Sequence, residues 1–240
     1  ARAYGRRMTR ANDRAERGVA WRAPALVALV VGVLVVALFL VVDRRSSAPV
    51  ADAPSPSLSG RPVVAFVGDS YSAGSEASSP DKRWTTVLSA ERGWNEINAA
   101  VPGMGYDVGR PTQHYASQVA RAAASKPGTV IISGGWNDVA RGVPTATIVE
   151  GLRETPAAVT KHVPEARVVV IAPIGPASSP PPDLVRLRDA AAPVVRSSGA
   201  TWLDLDFPLT GHREWISPDG LHPNDAGYKR LAELTNARLN

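Results

Sequence analysis

Apolar residues along this chain come in short blocks, separated by longer stretches in which apolar positions recur with a helical period. Five blocks have the length and branched residues typical of buried strands: "VVAFVG" (63–68), "NEINAAV" (95–101), "TVIISGG" (129–135), "RVVVIAP" (167–173) and "TWLDLD" (201–206). Helical patterns lie between and after them, at about 82–91, 112–125, 145–161, 183–198 and 224–238. Strands that alternate with helices predict an α/β protein with a parallel sheet covered on both faces.

One apolar run does not fit this alternation. "ALVALVVGVLVVALFLVV", from Ala25 to Val42, contains no charged residue. As a helix rising about 1.5 Å per residue, it comes close to crossing a hydrocarbon core of roughly 30 Å. Seven arginines and two acidic residues precede it, and such arginines are retained on the cytoplasmic side of a membrane. The pattern predicts a basic cytoplasmic tail at 1–23, a single transmembrane helix at 24–42 and an extracytoplasmic remainder.

A cleaved signal peptide is the alternative interpretation of this segment. "ADA" at 51–53 has the small-x-small form of a cleavage site, and cleavage there would give a secreted protein. The apolar run is longer than the apolar region of a typical signal peptide, and "DRRSS" separates it from the candidate cleavage site. We therefore expect an uncleaved anchor. Residues 43–61 are rich in Pro, Ser and Ala, which predicts a flexible linker. The folded domain is then expected at 62–240.

Charge and cysteine content exclude several classes of function. The net charge is +5, and it comes from the N-terminal tail, because the rest of the chain has equal numbers of basic and acidic residues. Nucleic acid is therefore not an expected partner. The chain has no cysteine, so disulfides, a thiol nucleophile and a thiolate metal site are excluded. No two histidines have metal-ligand spacing, and we expect neither a metal nor another cofactor. The sequence leaves the oligomeric state open.

Polar and glycine residues follow the predicted strands, where functional groups gather in parallel sheets. "GDS" (68–70) ends the first strand, "PGMGY" (102–106) follows the second and "GGWND" (134–138) ends the third, while "SPDGLHPND" (217–225) comes after the fifth. These segments offer a hydroxyl, glycine backbone, a side-chain amide, and a carboxylate three residues before an imidazole. Together they are the components of an acyl-transfer site.

The chemistry of each residue type indicates its role in such a site. Ser70 is a weak nucleophile until a base removes its proton, and His222 is the candidate base. Asp219 is placed to accept the other N–H of that imidazole and fix its tautomer. The oxyanion would be bound by the backbone N–H groups of Ser70 and Gly103 and by the side-chain amide of Asn137.

Some of these assignments have alternatives. Gly105 stands two residues beyond Gly103 and is the other candidate oxyanion donor. We name Tyr71, Gly105 and Trp136 as candidate substrate-pocket residues. Ser70 and the pair Asn137–Asp138 would also serve as ordinary helix caps, although the two glycines before Trp136 indicate a close approach to the backbone, as a ligand would make.

These motifs, in this order, resemble the SGNH (GDSL) hydrolases. The matching residues are "GDS" at 68–70, Gly103, Asn137 in "GGWND", and Asp219 with His222 in "DGLHPN". The resemblance implies a flavodoxin-like three-layer α/β/α sandwich with a five-stranded parallel sheet, and an esterase or lipase with a Ser-His-Asp triad. We expect an ester substrate, on a cell-envelope glycan or lipid. An O-acyltransferase using the same site and a catalytically inactive envelope-binding module are the alternatives.

Overall fold

A computed structural model describes residues 60–176 and 179–239 of the chain. Its five strands are β1 (Val63–Gly68), β2 (Asn95–Asn98), β3 (Thr129–Ser133), β4 (Arg167–Ile171) and β5 (Thr201–Leu203). They form one sheet in the order β2-β1-β3-β4-β5, and every neighbouring pair is parallel. The predicted five-stranded parallel sheet is confirmed, and its strand order is that of flavodoxin-like folds.

Seven α-helices connect and follow the strands within the described residues. They are α1 (Ser70–Ala73), α2 (Trp84–Arg92), α3 (Tyr115–Ala122), α4 (Trp136–Ala140), α5 (Thr145–His162), α6 (Pro182–Ser197) and α7 (Asp225–Arg238). The five long helices lie where the periodicity predicted them. The short helices α1 and α4 were not predicted, because four or five residues are too few to show a period. Both begin directly after a strand, at the edge where the candidate site lies.

The sheet separates two hydrophobic cores. One face of β1 presents Val64 and Phe66, which pack with side chains of α2 and α7 such as Leu88 and Leu231. The other face presents Ala65 and Val67, which pack with side chains of α3, α5 and α6. Because successive residues of a strand point to opposite faces, both faces of the central strand are buried. This arrangement confirms the three-layer α/β/α sandwich.

Four of the five strands end earlier than the pattern predicted. β3 stops at Ser133 because Gly134 and Gly135 have φ angles of 152° and 108°, outside the strand region. β5 stops at Leu203, since Asp204 accepts a hydrogen bond from the backbone N–H of Asp206 and closes a turn. The residues predicted as strand ends therefore belong to the loops that follow the strands.

The predicted membrane segment at 24–42, its tail and most of its linker lie outside the described residues. Within residues 60–176 and 179–239, no helix combines the length and the apolar character needed to cross a bilayer.

Candidate active site

The turn after β1 holds Ser70 as the first residue of α1. Asp69 is the N-cap, and its Oδ1 accepts a hydrogen bond of 3.0 Å from the backbone N–H of Tyr71. Ser70 itself is 9% exposed. Its N–H lies in the first turn of a helix, where backbone N–H groups have no partner within the helix. The capping role thus belongs to Asp69, and the hydroxyl of Ser70 is not used for it.

Burial changes the acidity of Asp69. Desolvation raises the pKa of this carboxyl to about 6, against hydrogen bonds from the Tyr71 N–H and the Tyr115 hydroxyl that act to lower it. The nearby Asp138 carboxylate adds to the rise, while His222 opposes it. Asp69 therefore orders the turn beneath Ser70 and carries a proton more readily than an exposed aspartate does.

Asp219 and His222 are joined within one turn. Asp219 Oδ2 lies 2.5 Å from His222 Nδ1, and its Oδ1 accepts hydrogen bonds from the backbone N–H groups of Leu221 and His222. Burial acts to raise the pKa of Asp219, but the hydrogen bonds from the imidazole and the two N–H groups outweigh it and leave the pKa lowered. An ionised Asp219 accepts a hydrogen bond from the Nδ1–H of His222, which leaves Nε2 as the ring nitrogen without a proton.

Tyr71 ties this turn to the serine turn. Its hydroxyl donates a hydrogen bond of 2.7 Å to the carbonyl of Leu221, and its ring centroid lies 5.9 Å from that of His222. The residue is 7% exposed, and its hydrogen bond holds these two segments together. Within the described residues Ser70 and His222 share no direct hydrogen bond; such contacts often tighten only when substrate binds.

The loop after β2 distinguishes Gly103 from Gly105. The N–H of Gly105 donates to the carbonyl of Val108 at 3.1 Å. A Cβ at Gly105 would overlap the Asp138 carboxylate, so this glycine packs against a side chain and not against open space. Gly103 has a φ of 78°, and the nearest atom to a Cβ built there is Arg141 Nη2 at 3.7 Å. The geometry leaves the Gly103 N–H as the more available of the two donors.

Helix α4 holds this loop with side chains. Asn137 Nδ2 donates to the carbonyl of Met104 at 2.9 Å, which uses one of its two N–H bonds. The buried Asp138 accepts from three successive backbone N–H groups, those of residues 106, 107 and 108, at 2.9 to 3.0 Å. Neither residue caps α4, whose N-cap is Gly135. This role of Asp138 was not predicted from the sequence, because its partners lie about 30 residues earlier in the chain.

At Gly134, the first glycine of "GGWND", side chains of the protein itself make the close approach that the sequence attributed to a ligand. A Cβ at Gly134 would overlap the hydroxyl of Tyr115 and come within 2.8 Å of Asp69 Oδ2. Side chains of the protein therefore occupy the space beside Gly134. Trp136 is half-buried, and its ring lies near Gly175 in the loop after β4. Its place in a substrate pocket stays a prediction.

Comparison with known proteins identifies relatives of this chain. The model of the GDSL-like Lipase/Acylhydrolase family matches residues 66–230. A GDSL lipase from Mycobacterium tuberculosis is 31% identical over 185 residues, which cover 71% of this chain and 78% of the relative.

Solved structures share the fold. The psychrotrophic esterase EstA from Pseudoalteromonas sp., in a structure inhibited by monoethylphosphonate, aligns with a TM-score of 0.59 at 17% identity, over 73% of this chain and 95% of that one. The aryl esterase of M. smegmatis aligns with a TM-score of 0.57 at 21% identity, over 74% of this chain and 100% of that one.

The family match and the curated relative define the class of protein as an enzyme of the lipase and esterase type. The chain belongs to the GDSL-like Lipase/Acylhydrolase family. This confirms the resemblance that the four motifs indicated, and family membership supports ester hydrolysis as the type of reaction.

Proposed function

We propose that this protein is a serine esterase in which Ser70, His222 and Asp219 form the catalytic triad. The observation that carries the proposal is the contact of 2.5 Å between Asp219 Oδ2 and His222 Nδ1, in a turn that Tyr71 ties to the serine turn. This contact orients the imidazole so that Nε2 is free to take the hydroxyl proton of Ser70. The side chain of His222 is only 17% exposed, which limits competition from bulk water.

The reaction follows from these positions. Nε2 of His222 accepts the Ser70 proton as Oγ attacks the ester carbonyl, and Asp219 stabilises the resulting imidazolium. The tetrahedral oxyanion is bound by the N–H groups of Ser70 and Gly103 and by the second N–H of Asn137. The imidazolium then protonates the leaving alcohol, which gives an acyl-enzyme on Ser70. Water, activated by the same imidazole, releases the acid and restores the serine.

Substitution of the nucleophile and the base tests this function. Ser70→Ala and His222→Ala should each remove nearly all hydrolysis of p-nitrophenyl acetate, and the double variant should be little worse than either, because the residues act as a unit. Ser72→Ala is a matched control, since the Ser72 hydroxyl lies in the same helix, is buried and has no hydrogen-bond partner among the described residues. It should retain activity.

A fluorophosphonate probe gives a second readout that needs no knowledge of the substrate. The wild type and Ser72→Ala should be labelled, and Ser70→Ala should not. Labelling that survives in Ser70→Ala would reject the triad. So would losses of activity in Ser70→Ala and His222→Ala that add in the double variant.

We propose further that the enzyme acts outside the cytoplasm on an acylated glycan or lipid of the cell envelope. The arginine-rich tail at 1–23, the apolar run at 24–42 and the linker at 43–61 support an anchored domain at 62–240. The full-length chain should stay in the membrane fraction through a high-salt wash, since apolar burial and not charge would hold it.

A phosphatase fused after Asn240 tests the orientation of the anchor. The phosphatase should be active if that end lies outside the cytoplasm, and an inactive fusion contradicts the orientation. Release of a soluble form that begins after Ala53 would instead support cleavage of a signal peptide.

A further inference from the structure

We propose that Tyr115 is a positioning residue for ester hydrolysis: its hydroxyl and its backbone N–H join the turn beneath Ser70 to the loop that offers Gly103. The proposal rests on the proposed roles of Ser70, Gly103 and Asn137. Tyr115 is the first residue of α3, is fully buried and does not belong to any of the four motifs.

The hydroxyl of Tyr115 lies where three segments of the site meet. It donates to Asp69 Oδ2 at 3.0 Å, and it lies 3.3 Å from the carbonyl oxygen of Met104. That same carbonyl accepts the hydrogen bond from Asn137 Nδ2. One hydroxyl therefore contacts both the cap of the nucleophile helix and the peptide that orients the Asn137 amide.

The backbone of Tyr115 makes a second connection to the same loop. Its N–H donates to the carbonyl of Gly105 at 3.0 Å. Tyr115 alone therefore contacts two adjacent carbonyls of the loop, those of Met104 and Gly105. Gly134, at the end of β3, provides the space, because any Cβ there would overlap the Tyr115 hydroxyl. Gly134, the first of the two glycines before Trp136, is explained by this contact.

Tyr106 offers a matched comparison for the hydroxyl. Its ring packs edge-on against that of Tyr115 with centroids 4.7 Å apart, and it is equally buried. The Tyr106 hydroxyl has no hydrogen-bond partner among the described residues. Removing the Tyr106 hydroxyl takes away a buried polar group that makes no hydrogen bond. Removing the Tyr115 hydroxyl breaks two contacts within the site.

The experiment compares Tyr115→Phe with Tyr106→Phe in the full-length protein. Tyr115→Phe should lower kcat for p-nitrophenyl acetate by about tenfold to a hundredfold with little change in KM, because misplaced donors weaken binding of the transition state and not of the ester. Tyr106→Phe should leave both constants unchanged. Equal kcat values for the two variants would overturn the proposal.

A double variant separates positioning from general destabilisation. Since Tyr115 acts through the peptide that holds Asn137, Tyr115→Phe should cost little further kcat in an Asn137→Ala background. Losses that multiply across the two sites would show that the Tyr115 hydroxyl does not act through Asn137, and would reject its role in positioning that amide. Loss of fluorophosphonate labelling in Ser70→Ala supports the proposed function separately. That test does not depend on the results for the Tyr115 variants.

Discussion

Replacement of Asp69 by asparagine should make the stability of the protein less dependent on pH. The carboxyl of Asp69 is 3% exposed, and burial raises its pKa from an ordinary value of 3.8 to about 6. Asparagine has the same shape, keeps an oxygen for the Tyr71 N–H, and presents an amide to the Tyr115 hydroxyl. Unlike aspartate, it is neutral at every pH.

The sign and size of the effect follow from linkage. Between pH 3.8 and about 6 the folded state keeps the Asp69 proton that the unfolded state has lost. The stability that this proton contributes is complete below the lower pKa and is lost as the pH rises through the higher one. Each unit of difference between the folded and unfolded pKa values is worth about 1.4 kcal/mol. The rise from 3.8 to about 6 therefore makes the ionised carboxyl cost about 3 kcal/mol at neutral pH. Most of this cost, about 2 kcal/mol, arises between about pH 4 and pH 7.

Urea unfolding followed by tryptophan fluorescence, across about pH 4.5 to 7.5, measures this cost. The free energy of unfolding of Asp69→Asn, minus that of the wild type, should grow by about 2 kcal/mol as the pH rises. Asp81→Asn is the control, because Asp81 is exposed and its pKa is lowered, chiefly by a hydrogen bond from Ser79, so it stays ionised throughout this range. A difference for Asp69→Asn that is constant or falls with pH would refute a proton held on this carboxyl.

Two further substitutions test the groups around Ser70. Asn137→Ala should cost about 2.7–4 kcal/mol of transition-state stabilisation, seen in kcat more than in KM; an unchanged kcat would remove Asn137 from the oxyanion site. Tyr71→Phe breaks the hydrogen bond to the Leu221 carbonyl, and should lower stability by about 1 kcal/mol together with kcat, because the histidine turn loses its tie to the serine turn. Full activity with unchanged thermal unfolding would contradict this role.

The sequence predicts those features of the protein that depend on local pattern. Each strand has its own apolar block and each long helix its own period. The carboxylate and imidazole of "DGLH" lie within one turn, so their contact needs no knowledge of the tertiary structure. β2 was placed but predicted three residues too long, because it is an edge strand with half-buried residues and its alternation is weak. The motifs supplied the family, and the family implied the strand order.

Contacts between distant segments were beyond local pattern. Asp138 binds backbone groups 30 to 32 residues away, and Tyr115 reaches Asp69 across 46 residues. In the sequence Asp138 looks like a helix cap and Tyr115 like any aromatic residue at the start of a helix. The glycines of "GGWND" did give a signal of close approach, but a sequence does not say which atoms make the approach.

The loop that offers Gly103 needs these distant contacts for a physical reason. It contains three glycines within seven residues, at 103, 105 and 109, and fixing the backbone of each loop residue costs about 1–2 kcal/mol. Helix α4 and the residue after it oppose that cost: Asn137 binds the Met104 carbonyl, Asp138 binds three N–H groups, and Arg141 Nη1 donates to the Gly103 carbonyl at 2.6 Å. The helix that presents the amide of Asn137, together with Arg141, therefore also holds the loop on the carboxyl side of Gly103. Because donors stabilise an oxyanion best when they need no rearrangement during the reaction, it matters that these two proposed donors are held as one unit.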